Sequence, residues 1–216
     1  MAAQPNFDKV AKLYRWAEYL ALGPVLQRAR TALLPQLQNR RQAFVLGDGD
    51  GRFLATLLQQ NPEIHAIAVD SSARMLQLLR LRCSAASPTA DARFWTIHAS
   101  AMHITPPPST DLIVSHFFLD CLTQLQLDAL TQSLAAQVQP GTLWLVSDFG
   151  FPTNPALRPF AALYIRALYL AFNVLNCLRV TRLPNIPQTL SAAGFKRITR
   201  KTFLFGLIYT EIWQLQ

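Results

Sequence analysis

The feature that most constrains the fold is a short apolar run that ends in glycines at alternate positions. The run Phe44–Leu46 is followed by Gly47, Gly49 and Gly51. Alternate glycines let backbone N–H and carbonyl groups approach a ligand without side chains between them. A second apolar run, Ile64–Val69, ends in Asp70, whose carboxylate could accept two hydrogen bonds from a ribose diol. The pattern predicts a strand, a tight turn, a helix and a second strand that form half of a nucleoside site.

The rest of the chain alternates short apolar runs with segments of helical periodicity. The predicted strands are Ala43–Leu46, Ile64–Val69, Arg93–His98, Leu112–Ser115, Thr142–Ser147, Lys196–Thr202 and Leu207–Leu215. The predicted helices are Phe7–Leu37 with a break at Gly23-Pro24, then Arg52–Gln60, Ala73–Cys83, Thr123–Val138 and Phe160–Leu178. This alternation predicts an α/β fold with a mostly parallel seven-stranded sheet, whose last two strands form an antiparallel hairpin.

The length of 216 residues and the 51% hydrophobic composition predict a single domain with a large core. Within it we expect an N-terminal helical cap (1–38), a cofactor-binding core (40–150), a helical insertion or lid after strand 5 (151–190) and the hairpin (191–216). The three cysteines are far apart, which predicts no metal site and fits a reducing, cytoplasmic setting. The N-terminal residues lack the apolar centre of a signal peptide.

The net charge of +8 comes from basic residues that form no run of five or more. Such scattered charge favours a mild attraction to anionic substrates or lipid headgroups over nucleic-acid binding. The partners we expect are therefore a small-molecule substrate and no nucleic acid, with peripheral membrane contact left open.

The spacing of the glycines discriminates between cofactors. A dinucleotide site would have the pattern G-x-G-x-x-G, whereas here the third glycine comes one residue earlier and Arg52 follows it. Asp48 and Asp50 would also repel a pyrophosphate, but S-adenosylmethionine (SAM) carries no phosphate and has a cationic sulfonium and amino group. SAM is therefore favoured over a nicotinamide dinucleotide.

Five motifs in order resemble those of class I SAM-dependent methyltransferases, and the resemblance covers residues 40–216. The motifs are Val-Leu-Gly-Asp-Gly-Asp-Gly at 45–51, Ala-Val-Asp-Ser-Ser-Ala-Arg-Met-Leu at 68–76, Phe94–Ala101, Thr-Asp-Leu-Ile-Val-Ser-His at 110–116, and Val-Gln-Pro-Gly-Thr-Leu-Trp-Leu-Val at 138–146. The resemblance implies an enzyme with a Rossmann-like fold and SAM as its cofactor.

The same resemblance implies which residues hold SAM: Gly47, Asp48, Gly49, Asp50, Gly51, Asp70, Ser71, Ser100, Ala101 and Ser115. Two positions depart from the family pattern. Val45 stands where an acid is usual, so Asp48 or Asp50 is expected to contact the ligand's amino group instead. Ser100 stands where an Asp usually meets the adenine, and its hydroxyl is a weaker acceptor than a carboxylate.

His116 is the candidate general base, because it ends the fourth strand at the edge of the sheet where ligands bind in this type of fold. Asp120 is expected to orient its ring, and Tyr14, Tyr19, His116 and Phe117 are expected to contact the substrate. An alternative is that His116 only shapes the pocket, and that the tyrosines pack in the core.

The long apolar segment from Phe160 to Leu178 allows three interpretations: a lid over an apolar substrate, a core or dimer helix, or an element that lies on a membrane surface. The favoured function is methyl transfer to a small aromatic or lipophilic acceptor. The alternatives are a non-catalytic SAM-binding or interaction protein and a nicotinamide-dependent oxidoreductase. The acceptor and the oligomeric state stay open at this point.

Overall fold

One seven-stranded sheet forms the centre of the molecule. The computed structural model describes residues 22, 24–87, 89–174 and 182–216. The strands are β1 (Gln42–Leu46), β2 (His65–Asp70), β3 (Phe94–His98), β4 (Leu112–His116), β5 (Leu143–Phe149), β6 (Phe195–Phe203) and β7 (Ile208–Leu215). Their order across the sheet is β3-β2-β1-β4-β5-β7-β6. Only β7 runs antiparallel to its two neighbours in this sheet, so the predicted fold class is confirmed.

Helices cover both faces of the sheet. Residues 24–31 are helical (α1), followed by α2 (Arg52–Gln60), α3 (Ala73–Ala86), α4 (Gln124–Ala135), α5 (Arg158–Val174) and α6 (Ile186–Ala192). The apolar side chains of α2 and α3 pack on the face that contains Val45, and those of α4 and α6 pack on the face that contains Phe44. Because adjacent residues of β1 face opposite cores, the continuous apolar run of this strand is explained by burial on both sides.

Local capping residues fix where the helices begin. The Oγ of Ser72 accepts a hydrogen bond from the N–H of Met75 at the start of α3. Thr123 and Gln126 form a reciprocal capping box at the start of α4. These caps satisfy backbone N–H groups that have no partner within the helix.

Several predicted boundaries are wrong. The N-terminal helix was expected to reach Leu37, but Leu34–Leu37 is a 3₁₀ helix, since Pro35 cannot continue an α-helix. The seven-residue helix α6 was not predicted, because a segment this short carries little periodicity. Helix α5 begins two residues earlier than predicted, and residues 175–178 of the predicted helix lie outside the described residues.

The predicted cap residues 1–21 also lie outside the described part of the chain, including Tyr14 and Tyr19. Within the described residues, none of the helices has both the length and the apolar character needed to cross a membrane.

The order of the strands defines where a ligand would bind. Strand β1 lies between β2 and β4, and the chain leaves it first toward one edge of the sheet and later toward the other. In open α/β sheets, such a reversal leaves a crevice at the carboxyl ends of the two central strands. The loops after β1, β2, β4 and β5 meet at this crevice, and we refer to the carboxyl ends of the parallel strands as the ligand edge of the sheet.

Candidate cofactor and acceptor site

The glycine turn after β1 depends on left-handed backbone angles. Gly47, Gly49 and Gly51 have φ of +62°, +59° and +81°. A Cβ at Gly51 would stand 2.9 Å from the Cα of Leu79 in α3, so this glycine is needed for close packing as well as for its conformation. A Cβ at Gly49 would meet nothing within 4 Å. The turn therefore leaves open space on the side of Gly49, as a cradle for a ligand would.

Asp48 faces the protein interior and caps α2. Its Oδ2 accepts the N–H of Leu54 at 2.9 Å, and its Oδ1 is buried without a hydrogen-bond partner among the described residues. Burial raises the pKa of Asp48 to about 7, against the lowering effects of the Leu54 N–H and the Arg30 charge. Asp48 thus retains one carboxylate oxygen that is not used by the described part of the protein.

Asp50 is bound to arginine side chains. Its carboxylate lies 2.8 Å from Nη2 of Arg82 and 3.2 Å from Nε of Arg52, and Nε of Arg82 donates to its backbone carbonyl at 2.9 Å. These contacts tie the turn to α3. Asp48 and Asp50 are the two acids that could replace the one missing at position 45. Of these, Asp50 already has its carboxylate paired with arginine side chains of the protein.

The residues predicted around ribose and adenine gather at the ends of β2 and β3. Asp70 accepts the N–H of Ser72 at 2.8 Å, and Nε2 of His98 donates to the carbonyl of Ser71 at 3.0 Å. The hydroxyl of Ser100 accepts a hydrogen bond from the N–H of Met102, and Ala101 between them is buried. The second and third motifs thus meet at the same edge of the sheet, although the Ser100 hydroxyl already has a backbone donor.

The side chain of Ser115 is turned away from this edge. Its Oγ accepts a hydrogen bond from Nε1 of Trp144 at 2.9 Å in the core beneath α4, and the residue is buried. Only its backbone is left to take part in a site above the strand ends.

His116 is enclosed between α1, α2 and the end of β4. It is 3% exposed, its ring lies 4.4 Å from that of Phe53 in an edge-on arrangement, and neither ring nitrogen has a hydrogen-bond partner among the described residues. Burial, with a smaller effect from the Arg30 charge, lowers the pKa of His116 well below its usual value. The imidazole is therefore neutral at physiological pH.

The expected contact between Asp120 and His116 is not formed. Asp120 instead pairs with Asp148 of β5, and its backbone N–H donates to Oδ2 of Asp148 at 3.2 Å. Burial raises the pKa of Asp120 to about 6, and burial together with the Asp120 charge raises the pKa of Asp148. Two buried carboxyl groups this close favour sharing one proton. Asp148 was not recognised in the sequence, because its partner lies 28 residues away.

Arg30 is a second residue that the sequence pattern does not reveal. It belongs to α1, is buried, and holds its guanidinium 5.1 Å from the centre of the Phe117 ring. Phe117 has φ of +52°, a conformation that is uncommon for a bulky residue. Its ring also packs 5.3 Å from that of Phe149. Phe117 thus lies between α1 and β5, directly after His116.

Residues 44–141 match the family model of a methyltransferase domain. No curated protein matches the sequence.

Many solved structures share the fold. An O-methyltransferase family 2 protein from Planctomyces limnophilus, in complex with apigenin, has 15% identity, a TM-score of 0.73, and coverage of 96% of this chain and 62% of its own. The mitomycin 7-O-methyltransferase MmcR has 13% identity and a TM-score of 0.72, with coverage of 97% and 60%. The SAH-bound CalO1, a methyltransferase in calicheamicin biosynthesis, has 17% identity and a TM-score of 0.69, also with coverage of 97% and 60%. The chain thus spans about 60% of the length of these structures.

Proposed function

Because residues 44–141 match a methyltransferase domain, we propose that this chain is a class I SAM-dependent methyltransferase that transfers a methyl group from SAM to a small aromatic or lipophilic acceptor. One observation carries the proposal: the glycine turn after β1 leaves open space at Gly49, and the N–H of Gly47 donates to the carbonyl of Val69, the residue before Asp70 at the end of β2. These two elements meet at the crevice where α/β sheets bind nucleosides.

The residues of the turn fit SAM better than a dinucleotide. Gly47 to Gly51 would hold the methionine part and Asp70 the ribose diol. Ser71, Ser100 and Ala101, which follow β2 and β3, would line the adenine side. One carboxylate oxygen of Asp48 has no hydrogen-bond partner in the part of the chain that the structure describes, and this oxygen suits a cationic amino group and would repel a pyrophosphate. SAM supplies a methyl group on a positively charged sulfur. What the protein must add is alignment of the acceptor with that group.

His116 is the residue we propose as the proton acceptor. Its neutral imidazole at physiological pH is the form that can take a proton from a hydroxyl as the new bond to the methyl carbon forms. Because the ring is nearly enclosed, an acceptor can reach it only after a neighbouring side chain such as Phe117 moves. Asp120 does not orient the ring in this structure, so the packing of Phe53 would fix its position instead.

The surroundings of Phe117 favour an apolar acceptor. Phe117, Phe149 of β5 and Ile165 of α5 belong to one apolar cluster, which also includes Leu26 of α1. We propose that α5 and the rest of the insertion after β5 form a lid over this cluster, within a single domain. The related structure that contains apigenin supports a small aromatic ligand for this fold.

A second candidate function is binding of SAM without catalysis. The observations that favour it are the absence of an acid at position 45, the engaged hydroxyl of Ser100 and the lack of a hydrogen bond from His116 to any carboxylate among the described residues. These features weaken cofactor contacts and base activation without blocking the glycine turn.

Calorimetric titration with SAM, with its demethylated product and with NAD⁺ tests the cofactor. We expect binding of the first two only, and binding of NAD⁺ alone would refute the proposal. Transfer of a radiolabelled methyl group to a panel of phenols, aromatic acids and lipophilic amines then tests the reaction. SAM binding without transfer to any member of a broad panel would favour the non-catalytic alternative.

A further inference from the structure

The net positive charge of the chain is confined to one segment. Residues 149–210 contain no Asp or Glu and eight basic residues, whereas the rest of the chain has 12 basic and 12 acidic residues. The eight are Arg158, Arg166, Arg179, Arg182, Lys196, Arg197, Arg200 and Lys201. Residues 1–148 therefore carry a net charge of only +1, and residues 149–216, which form the insertion and the hairpin, carry +7 of the total of +8.

The same segment exposes large apolar side chains. Phe205 is 83% exposed, Phe160 71% and Leu163 69%, and Phe151 and Leu204 are also exposed. We call these five residues the tip surface. Phe160 and Leu163 are three positions apart, so they share one face of α5, while Ala161 and Ile165 are buried on the other.

The turn between β6 and β7 adopts an unfavourable conformation to present its apolar residues. Leu204 and Phe205 have φ of +48° and +57°, in the left-handed region that bulky L-residues rarely adopt. The Phe205 side chain is almost fully in solvent, so it gains little packing within the described protein in return. Exposed apolar residues held in this way are typical of a surface that binds something else.

The segment that connects β5 to α5 contacts the β6–β7 turn and so brings the two parts of the tip surface, on α5 and on the turn, to one end of the sheet. The N–H of Gly150 donates to the carbonyl of Leu207 at 2.9 Å, and a Cβ at Gly206 would stand 3.2 Å from the Cα of Pro152. Nε of Arg158, the first residue of α5, donates to the carbonyl of Pro152 at 3.1 Å. The residues after β5 thus run against the β6–β7 turn and lead directly into α5.

Basic side chains border this end of the sheet. Arg158 and Arg166 are exposed on α5, and Arg200 and Lys201 precede the turn on β6. Arg200 contacts Glu211 at 3.1 Å, and Lys201 donates to the carbonyl of Ala32, so both also hold the fold together. Glu211 is buried and shared with Arg197, so it presents no negative charge at the surface.

We propose that the tip surface docks on an anionic lipid bilayer. Phenylalanine and leucine side chains flanked by Arg and Lys are the composition of segments that lie in the headgroup region, where acyl chains bury the apolar groups and anionic lipids attract the cations. A second copy of this chain is a poorer partner, because two surfaces without acidic residues would repel each other. This docking does not depend on the proposed methyl transfer, and its test uses no SAM.

Co-sedimentation with vesicles tests the proposal on the full chain. We expect binding to vesicles of phosphatidylcholine with one quarter phosphatidylglycerol, weak binding to pure phosphatidylcholine, and a marked loss in 0.5 M salt. Phe205→Asn keeps a residue that tolerates the left-handed turn and should weaken binding roughly tenfold, as expected for loss of one buried aromatic side chain. Arg158→Gln with Arg166→Gln should weaken it roughly tenfold or more.

Matched controls separate this surface from general hydrophobicity and charge. Leu81→Gln in α3 and Leu125→Gln in α4 remove side chains that are 70% and 79% exposed elsewhere, and Arg28→Gln with Arg74→Gln removes two charges elsewhere. These variants should bind like the wild type. Equal losses in them, or no binding of the wild type to anionic vesicles, would overturn the proposal.

Two further measurements keep the result interpretable. Hydrogen exchange on the wild-type protein should show protection of residues 203–207 by anionic vesicles, which requires no variant to fold. Sedimentation of the free protein should show no dimer that the Phe205→Asn substitution dissociates. The protein should also not bind a single-stranded oligonucleotide more tightly than it binds vesicles. Either of these latter results would assign the surface to another partner and overturn the proposal.

Discussion

The two sides of the crevice between β1 and β4 are built from different kinds of contact. On the β1–β2 side, Asp48 contacts the N–H of Leu54 six positions later, and Asp70 contacts that of Ser72 two positions later. On the β4–β5 side, Ser115 bonds to Trp144, 29 positions away, and Asp120 pairs with Asp148, 28 positions away. The carboxylates of Asp48 and Asp70 are thus held by backbone groups close to them in sequence, whereas the side chain of Ser115 and the carboxyl group of Asp120 are held by distant segments of the chain.

This difference teaches where a sequence motif is informative. A glycine with positive φ is required by the backbone itself, so the residue type records the conformation. A buried His or Asp is defined by the groups that pack against it, and these come from other parts of the chain. Cofactor binding should therefore depend on individual turn residues, and acceptor chemistry should depend on partners that lie far away in sequence.

The largest effect should come from Gly51→Ala, with Gly49→Ala as its matched control. Both glycines have positive φ, but only at Gly51 would the new Cβ collide with the backbone of α3, at Leu79. We expect Gly51→Ala to lower the free energy of unfolding by about 3 kcal/mol or more and Gly49→Ala by about 1 kcal/mol. Urea denaturation measures both. Equal losses would show that the turn is not packed against α3 as described.

His116→Ala should produce the next largest effect, on turnover of whichever hydroxyl acceptor the panel identifies. We expect kcat to fall roughly 100-fold at pH 7, as for loss of a general base. Because the pKa of His116 lies well below its usual value, the wild-type rate should not change between pH 6.5 and 8 from titration of this residue. With a phenolic acceptor, the deficit of the variant should shrink at high pH, where the acceptor ionises by itself. A variant as active as the wild type at every pH would exclude the base role.

Asp70→Asn should weaken SAM binding about tenfold, because the amide keeps one acceptor for the N–H of Ser72 but loses a second acceptor for a diol. Asp111→Asn is the control at the opposite edge of the sheet, where the carboxylate accepts the N–H groups of Arg41 and Gln42. It should lower stability without changing SAM affinity. Calorimetric titration measures the dissociation constants, and equal affinity of the Asp70 variant and the wild type would remove Asp70 from the site.

Asp120→Asn should give the smallest change, and it should be stabilising at high pH. Both carboxyl pKa values of the Asp120–Asp148 pair are raised in the folded state, so the folded protein binds more protons than the unfolded chain above pH 4. Stability from this pair is therefore present at low pH and lost as the pH rises through 6. An amide at position 120 removes the repulsion and should raise the free energy of unfolding by roughly 1 kcal/mol at pH 8, with little gain at pH 5. Thermal melts at the two pH values check this, and a gain that is larger at pH 5 would contradict the shared proton.

Much of the fold was predictable from the sequence because its elements carry their own periodicity and caps. The predicted span of α2, Arg52–Gln60, agrees with the structure, and the predicted start of α3 at Ala73 is fixed by the cap at Ser72. The helix α6 was missed because seven residues are too few to show a period. Residues 44–141, which match a methyltransferase domain, include the first four of the five sequence motifs.

The sequence by itself determined the glycine turn, the carboxylate at the end of β2 and the mixed seven-stranded sheet, since each depends on residue types at short spacing. Only the tertiary structure decided that Ser115 faces the core, that Asp120 pairs with Asp148, and that Arg30 lies over Phe117. It also brought Phe205 and the start of α5 to one end of the sheet. The physical reason is that burial and charge pairing depend on which distant segments come into contact, and this is set by the packing of helices on the sheet.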